Sequence, residues 1–283
     1  MLSKSGFSYG IVLHGAEVTV PGFFPGSSHL CAKVLSKASF WISAGEYAEN
    51  EARKILKKHN YELTAESIQI PPGVDTDAFR PASKSGKNSS KAKFELDPSK
   101  LLVLSVSRLV PRKGMDTLIK ASGELGGIND AFQLAIVGRG RDLNRLKALS
   151  AAKHIEVKFL GGVSQEDLAE LYSAADIFVM NCRDRWFGLE KEGFGIVFLE
   201  AAASGVAQIA GNSGGAQEAV IDGVTGFVVK DPSDVGQLRD HLGKLLTDDD
   251  LRLKMSVASL NRSREIFDYK ILAEKLAKGL GRY

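Results

Sequence analysis

The chain has 283 residues, of which 44% are hydrophobic and 25% charged, and this composition excludes collagen, coiled coil and wholesale disorder. At about 150 residues per domain, the length predicts two domains. The 37 lysines and arginines exceed the 34 aspartates and glutamates by only three, so the sequence shows no concentrated basic surface and we expect no nucleic-acid partner.

Cysteine usage and hydropathy bear on the compartment. Cys31 and Cys182 lie far apart and form no C-x-x-C motif, which argues against a disulfide framework or a zinc site and favours a reducing compartment. No apolar run reaches the roughly 18 residues of a membrane-spanning helix, and residues 1–6 lack the apolar stretch of a signal peptide. We therefore expect a cytoplasmic protein. The basic cluster at 53–58 fits peripheral contact with the inner face of the membrane, and it fits a solvated helix face equally well.

Short apolar runs alternate with amphipathic stretches from the start of the chain. Strands are predicted at 9–13, 38–43 and 67–70, and a helix at about 46–58. Three strands are too few for a complete Rossmann-like domain. Residues 84–93 combine lysine, serine and glycine without apolar periodicity, which predicts a solvated linker or loop.

The rhythm of strand and helix becomes regular beyond this segment. Further strands are predicted at 101–106, 133–137, 156–160, 177–180, 206–210 and 226–229, with helices including 115–125, 143–151 and 165–173. Helices of this length between strands imply right-handed crossovers and a doubly wound parallel sheet, which binds ligands at the carboxyl ends of its strands. Residues 248–280 are predicted to be helical, with Asp248, Asp249 and Asp250 starting a helix rather than binding a metal.

These elements divide the chain into four predicted parts. A partial Rossmann-like domain spans 1–82, a linker or loop spans 83–97, and a complete Rossmann-like domain spans 98–260. A final helix at 261–283 is expected to pack back toward the first domain.

Three cations follow the first strand of the second predicted domain. Arg108, Arg112 and Lys113 lie between that strand and the next helix, where fixed positive charge suits a diphosphate. A basic loop in water is the alternative interpretation. His14 ends the first strand of the chain beside a glycine, a place that suits a side chain facing a ligand as well as one on the surface.

Glycine-rich turns follow two other strands. Gly138 opens a Gly-x-Gly pattern similar to the dinucleotide-binding fingerprint, but Leu143 stands where the third glycine belongs, so a turn is favoured over an NAD site. Gly214 and Gly215 precede a helix, where backbone N–H groups can approach an anion or a sugar.

Two carboxylates stand eight residues apart. Glu192 lies on a glycine-flanked loop, and Glu200 lies in a helix that is otherwise apolar or small. Carboxylates accept hydrogen bonds from vicinal hydroxyls such as those of ribose and hexoses. A surface helix with an acidic face is the alternative, but an ionised Glu200 in this apolar setting needs partners. The preceding loop at 181–189 carries aromatic and arginine residues and is interpreted as functional, whereas Cys182 is interpreted as an idle thiol.

Together these residues resemble the retaining GT-B glycosyltransferases of family 4, over nearly the whole chain. The segments that carry the resemblance are Ser107 to Gly114, the turn at Gly138, the Glu-x7-Glu pair Glu192 and Glu200, Gly-Gly-x-x-Glu at 214–218, and Pro72-Gly73-Val74-Asp75 before Phe79. Within that family, the first and third of these segments look closest to the actinobacterial PimB-type phosphatidylinositol mannosyltransferases, which use GDP-mannose.

The resemblance implies an α/β fold of GT-B type, with two Rossmann-like doubly wound domains. It implies transfer of a hexose, mannose from GDP-mannose, to a lipid or glycan acceptor with retention of configuration. The leaving phosphate would take the acceptor proton in a front-face displacement, and neither a metal nor another cofactor is implied.

The resemblance also assigns residues by position. His14, Arg108, Lys113 and Glu192 would be the catalytic residues, with Arg108 and Lys113 on the donor diphosphate and Glu192 on the hexose. Glu200 would bind the ribose. The donor-binding set would be completed by Gly138, Gly193, Phe194, Gly195 and Ile196.

The family begins with a strand and a glycine-rich turn that have no counterpart before residue 9, so we expect an N-terminally truncated chain with an incomplete first domain. A nucleotide-sugar-binding fragment with little or no transferase activity is therefore the alternative. A nucleotide-sugar 2-epimerase would need acid and base residues from the first domain, and an NAD-dependent oxidoreductase is disfavoured by Leu143. An uncovered sheet edge would invite association, so an oligomer is a further expectation.

Overall fold

Two parallel sheets, each flanked by helices, make up the protein. The computed structural model describes residues 8–281, apart from the side chain of Asn129. The first seven and the last two residues therefore lie outside the description, and so does the expectation that residues 1–6 form no signal peptide. The first sheet has the order β1 (Gly10–Leu13), β2 (Phe40–Ser43), β3 (Glu66–Gln69). The second has the order β6-β5-β4-β7-β8-β9, from β4 (Leu101–Val106), β5 (Phe132–Val137), β6 (Val157–Gly161), β7 (Ile177–Met180), β8 (Ala207–Gly211) and β9 (Gly226–Val229).

Helices connect the strands on both faces of the second sheet and on the first. They are α1 (Ala16–Phe23), α2 (Pro25–Ser36), α3 (Glu46–Lys58), α4 (Lys84–Lys93), α5 (Met115–Gly123), α6 (Leu143–Ala152), α7 (Gln165–Ala174), α8 (Ile196–Ala203), α9 (Ala216–Ala219), α10 (Val235–Thr247), α11 (Asp249–Arg262) and α12 (Tyr269–Leu280). Among residues 8–281, none of these helices combines the length and the apolar character needed to cross a membrane.

The predicted strands are confirmed, each within two residues of its predicted bounds. Burial explains why the sequence predicts them. All four side chains of β7 are fully buried, and a strand covered on both faces has a continuous apolar sequence. Helix α3 has the predicted bounds, with Glu46 and Glu49 in its first turn and Lys57 and Lys58 in its last, charges that favour the helix dipole at both ends. Asp248 caps α11 through its side chain, as predicted for a helix start.

The prediction of a loop at 84–93 is wrong, because these residues form α4. Ser83 caps the helix by accepting a hydrogen bond from the backbone N–H of Gly86 at 3.2 Å. Lys87 and Lys91 then form ion pairs with Asp176 at 3.2 and 3.1 Å. The helix is thus anchored by charge rather than by an apolar stripe, so hydrophobic periodicity does not reveal it.

The last helix returns to the first part of the chain. Gly73 packs closely against Tyr269, while the backbone N–H of Val74 donates to Phe267 at 2.8 Å. Gly279 of α12 lies so close to Ile68 of β3 that an added Cβ would stand 2.9 Å from the isoleucine side chain. The end of the chain therefore packs on β3 and on the segment that follows it.

Strand order places a crevice between β4 and β7. Counted in chain order, the strands of the second sheet run 3-2-1-4-5-6, so the connections leave β4 and β7 toward opposite sides. In open parallel sheets this switch point is where ligands bind, at the carboxyl ends of the strands. The segments after these two strands are those of Arg108 to Lys113 and of residues 181–195.

Candidate functional site

A pocket of about 260 Å³ opens at the switch point and lies between the two sheets. Its lining brings together residues from the carboxyl end of the first sheet and from the loops of the second. The lining residues are His14, Ala44, Pro72, Lys113, Glu192, Gly193, Phe194, Gly195, Ile196 and Val197. Seven of the predicted site residues therefore line one pocket, although they come from distant parts of the sequence.

An ion cluster lies at the base of this pocket. Lys113 Nζ donates to Glu192 Oε2 at 2.5 Å, and Arg112 Nη1 donates to the same oxygen at 3.0 Å. Lys113 is 7% exposed and Glu192 8% exposed, so the charges are poorly screened by water. Two cations and one carboxylate leave a net charge of +1, which favours an anionic ligand.

Backbone geometry fixes Lys113 in place. It ends the short 3-10 turn Pro111–Lys113, and Gly114 follows with φ +70°. A Cβ at Gly114 would stand 1.8 Å from the carbonyl oxygen of Asn181 after β7, so only glycine lets the two loops approach. The lysine that follows β4 is thereby held against the loop that follows β7.

The Glu192 loop is supported by the Gly214-Gly215 turn. The backbone N–H of Gly215 donates to the Glu192 carbonyl at 3.0 Å, and the Ser213 hydroxyl accepts from the Glu192 N–H at 3.1 Å. A Cβ at Gly214 would stand 2.0 Å from the Glu192 carbonyl oxygen. The backbone N–H of Gly215 that was predicted to face a ligand is therefore bonded to the protein, and the glycines act by shaping the Glu192 loop.

Glu200 lies one turn inside α8 and outside the lining of this pocket. The helix begins after Gly195, whose φ is +91°, and its first residue, Ile196, lies at the pocket. The fully buried Tyr172 donates its hydroxyl to Glu200 Oε2 at 2.9 Å. Burial raises the pKa of Glu200, and the hydrogen bond from Tyr172 opposes this rise only in part. Sequence analysis expected partners for this carboxylate, and Tyr172 is one.

Arg108 and His14 both have exposed side chains, and of the two His14 is in the lining of the pocket whereas Arg108 is not. Within residues 8–281 the Arg108 guanidinium forms no hydrogen bond or ion pair, so its donors are free for a ligand. The backbone N–H groups of His14 and Gly15 both donate to the Glu17 carboxylate, which fixes the turn after β1. The His14 carbonyl closely approaches Gly193, where an added Cβ would stand 3.3 Å from it.

Gly138 supports the cationic segment from below instead of lining the pocket. Its φ is +134°, and a Cβ there would stand 1.9 Å from the carbonyl oxygen of Ser107. The Ser107 N–H in turn donates to Val137 at 3.1 Å. The turn after β5 therefore packs directly under the segment that carries Arg108.

Replacing Gly138 with alanine is expected to destabilise the protein by about 2 kcal/mol, because the new side chain enters a disfavoured backbone region and collides with Ser107. Chemical denaturation monitored by circular dichroism measures this free energy of unfolding. Gly127→Ala is the matched control, since a Cβ at Gly127 would meet nothing within 4 Å. Equal stability of the two variants would contradict the packing role given to Gly138.

The loop at 181–189 is anchored at its base and exposed at its tip. Although burial opposes it, Arg183 lowers the pKa of Asp116, to which it donates at 2.9 and 2.8 Å. Trp186 and Phe187 are 55% and 100% exposed, both in the left-handed backbone region. Burial raises the pKa of Cys182 to about 12, so its thiol carries no nucleophilic thiolate at neutral pH, in agreement with its interpretation as idle.

Sequence reasoning missed several residues of the site. Arg112 was recognised as a cation but not as the second partner of Glu192, which adjacency to Lys113 could have suggested. Ala44, Pro72 and Val197 line the pocket through elements that carry no chemical signature. Within residues 8–281, no three or more histidine, cysteine, aspartate or glutamate side chains are grouped to hold a metal ion.

The chain is similar in sequence to several known proteins. The sequence profile described as "Glycosyl transferases group 1" matches residues 86–262. The GDP-mannose-dependent monoacylated alpha-(1-6)-phosphatidylinositol monomannoside mannosyltransferase of Corynebacterium glutamicum is 37% identical over 263 residues, which are 93% of this chain and 67% of that protein. The GDP-mannose-dependent alpha-(1-6)-phosphatidylinositol monomannoside mannosyltransferase of Mycobacterium tuberculosis is 42% identical over 212 residues, which are 74% of this chain and 54% of that protein.

Among solved structures, Anabaena Alr3699/HepE in complex with UDP and glucose aligns with a TM-score of 0.80 at 21% identity. The alignment covers 98% of this chain and 72% of the Anabaena chain. This likeness confirms the α/β fold of GT-B type expected from the sequence.

Proposed function

The chain belongs to the group 1 glycosyl transferases, and on that premise we propose that it transfers mannose from GDP-mannose to a phosphatidylinositol mannoside with retention of configuration. The donor and the acceptor class are those in the names of the corynebacterial and mycobacterial relatives. The chain spans about two thirds of the length of the first relative and about half of the length of the second.

One observation carries this proposal. The pocket at the switch point places Lys113 and Glu192 within 2.5 Å of each other, beside the start of α8 and opposite His14. A sugar diphosphate offers an anion for the cationic groups and vicinal hydroxyls for a carboxylate in the same molecule.

The proposed roles follow the positions of the side chains. Lys113 and the exposed Arg108 would bind the diphosphate and stabilise the negative charge that develops as the nucleotide leaves. Backbone N–H groups from Gly193 to Ile196, at the start of α8, would assist at the phosphates and the sugar. Glu192 would accept hydrogen bonds from the hexose, and Glu200 from the ribose hydroxyls.

The proposed reaction is a front-face displacement at the anomeric carbon. The acceptor hydroxyl forms the new bond to that carbon while the bond to the diphosphate oxygen breaks, and the leaving phosphate takes the acceptor proton. His14 would lie near the reacting carbon, because it reaches the pocket from the first sheet. The proposed reaction uses the nucleotide-sugar without a metal or another cofactor.

The acceptor is proposed as a class, the phosphatidylinositol mannosides. The cytoplasmic location with a peripheral membrane contact stays a prediction, and so does an oligomer. All four cations of the basic cluster on α3 are exposed, and Arg53 and Lys54 form ion pairs with Glu49 and Glu51, whereas Lys57 and Lys58 form no ion pair within residues 8–281. The latter pair is the part of the cluster that would meet anionic lipid.

Calorimetric titration tests the donor. We expect GDP-mannose to bind more tightly than UDP-glucose by about tenfold or more, ~1.4 kcal/mol, and NAD not to bind. Binding should be the same with and without a chelator, since no metal takes part. Preferred binding of UDP-glucose or NAD, or no binding by folded protein, would contradict the proposal.

A transfer assay with radiolabelled GDP-mannose and phosphatidylinositol monomannoside tests the reaction itself. Labelled lipid product is the expected result. Donor binding with neither product nor donor hydrolysis would instead support a nucleotide-sugar-binding fragment.

A further inference from the structure

Glu218 connects the donor side of the cleft to the first sheet. Its carboxylate accepts hydrogen bonds from the backbone N–H groups of Glu46 at 2.8 Å and of Tyr47 at 2.7 Å. Both donors belong to the first turn of α3, more than 170 residues away in the chain. The first N–H groups of a helix lack partners within it, and a carboxylate satisfies them with favourable charge.

The approach is too close to be accidental packing. Gly45 precedes α3, and a Cβ at this position would stand 2.2 Å from Glu218 Oε2. Any side chain at Gly45 would therefore displace the carboxylate. Glu218 itself is held from the other side, because its carbonyl accepts from Arg262 Nη2 at 3.0 Å.

Tyr47 extends this contact to the turn that carries His14. Its ring lies against Gly15, where an added Cβ would stand 2.9 Å from Tyr47 Cε1. On its other side, Lys191 Nζ lies 5.6 Å from the centre of the same ring. Tyr47 thus lies between the residue next to His14 and the residue next to Glu192.

Glu218 also belongs to the element that shapes the donor pocket. It follows Gly214 and Gly215, whose backbone supports the Glu192 loop through the bond to the Glu192 carbonyl. One short segment therefore contacts the donor site at its start and the N-terminus of α3 at its end.

We propose that Glu218 is a positioning residue for glycosyl transfer, which holds the N-terminus of α3, and through Tyr47 the turn of His14, in register with the donor pocket. This inference rests on the proposed function. Glu218 touches neither the donor pocket nor its ion cluster, so it acts on the alignment of the two halves of the cleft and not on donor affinity. A displacement of about 1 Å between two bound reacting groups is enough to slow the reaction between them.

Glu218→Ala tests the inference by separating turnover from donor binding. We expect kcat for mannosyl transfer to fall about tenfold, while the Kd and the stoichiometry of GDP-mannose binding stay within about twofold of the wild type. Glu218→Gln keeps an oxygen acceptor without the charge, and its kcat is expected to lie between the two. Gln217→Ala is the matched control, because it truncates an exposed side chain next to Glu218 on the same short helix and should leave kcat unchanged.

Two results would overturn the inference. One is a kcat of Glu218→Ala within twofold of the wild type. The other is a loss of turnover matched by an equal loss of donor-binding sites, which would indicate structural damage instead of misalignment.

If the wild type transfers no mannose, the proposed function fails, and amide hydrogen exchange still tests the contact. Faster exchange of the Glu46 and Tyr47 amides in Glu218→Ala, but not in Gln217→Ala, is the expected result. Unchanged exchange would show that the carboxylate does not hold α3.

Discussion

Replacing Lys113 with methionine is expected to lower kcat/KM for GDP-mannose by about a thousandfold, because one charge-assisted contact to the diphosphate and its strengthening in the transition state are both lost. Methionine keeps an unbranched apolar stem and removes the ammonium, whose contact with Met180 Sδ at 3.5 Å is lost with it. The change also leaves Glu192 with Arg112 as its one remaining cation, in a position where Glu192 is 8% exposed. Loss of stability should therefore accompany the loss of activity.

A second substitution separates the two effects. In the Lys113→Met, Glu192→Gln double variant the buried carboxylate that lost its short contact is also gone, so the free energy of unfolding should recover in part. Arg112 then lacks its carboxylate, and donor affinity stays low. Lys120→Met is the matched control, since it removes a positive charge from α5 outside the pocket. Steady-state kinetics, donor titration and denaturation measure the three quantities. A Lys113→Met enzyme with unchanged donor affinity would remove Lys113 from the donor site.

Replacing Glu200 with glutamine is expected to weaken GDP-mannose binding about a hundredfold, because two charge-assisted hydrogen bonds to vicinal hydroxyls become neutral ones. Glutamine keeps the carbonyl oxygen that accepts from Tyr172, so the buried tyrosine hydroxyl remains paired. Titration calorimetry measures the affinity. Glu166→Gln, an exposed change in the first turn of α7, is the matched control.

In contrast to donor affinity, the thermal stability of Glu200→Gln is expected to equal or exceed that of the wild type at pH 7. Burial raises the pKa of Glu200 above its unfolded value, so the native state holds this proton more tightly than the unfolded chain does. The corresponding stability is present at low pH and is lost as the pH rises through the raised pKa, which leaves the ionised Glu200 destabilising at neutral pH. The Tm of the variant at pH 7 should therefore equal or exceed that of the wild type.

The same pKa sets the pH dependence of donor binding. As the pH falls, Glu200 protonates at a higher pH than an ordinary glutamate, so wild-type affinity should begin to fall earlier than a standard carboxylate predicts. Glu200→Gln should lack this dependence. A variant with lowered Tm and wild-type affinity would mean that Glu200 is a structural carboxylate.

Sequence patterns were informative wherever burial alone decides the structure. Strand β7 is apolar and buried on both faces, so its bounds could be predicted to the residue. Polar residues that follow strand ends predict positions that face a ligand, as for Lys113 and His14, and the spacing of Glu192 to Glu200 marks a third position. All three of Lys113, His14 and Glu192 line one pocket. The topology of a parallel sheet turns such sequence positions into neighbours.

Elements that are held by charge or by contacts between distant parts of the chain could not be predicted from local sequence patterns. Helix α4 depends on ion pairs with Asp176, which is far away in the chain. The donor-binding role that the resemblance implies for Gly138 stays a prediction, and the packing of its backbone under the Arg108 segment is a contact that no local pattern indicates. The contact of Glu218 with α3 requires the relative placement of two sheets, and no local pattern encodes that placement.

Packing of α12 on β3 has a consequence for biosynthesis. The covering residues around Gly279 leave the ribosome about 200 residues after Ile68, which corresponds to roughly 10–40 s at ordinary rates of translation. Throughout that interval the first sheet lacks its last cover, while the second sheet can already complete its local strand and helix pairs. The nascent protein therefore exposes the uncovered first sheet while the second sheet forms, and chaperones that shield apolar surface would act on the first sheet until α12 has emerged.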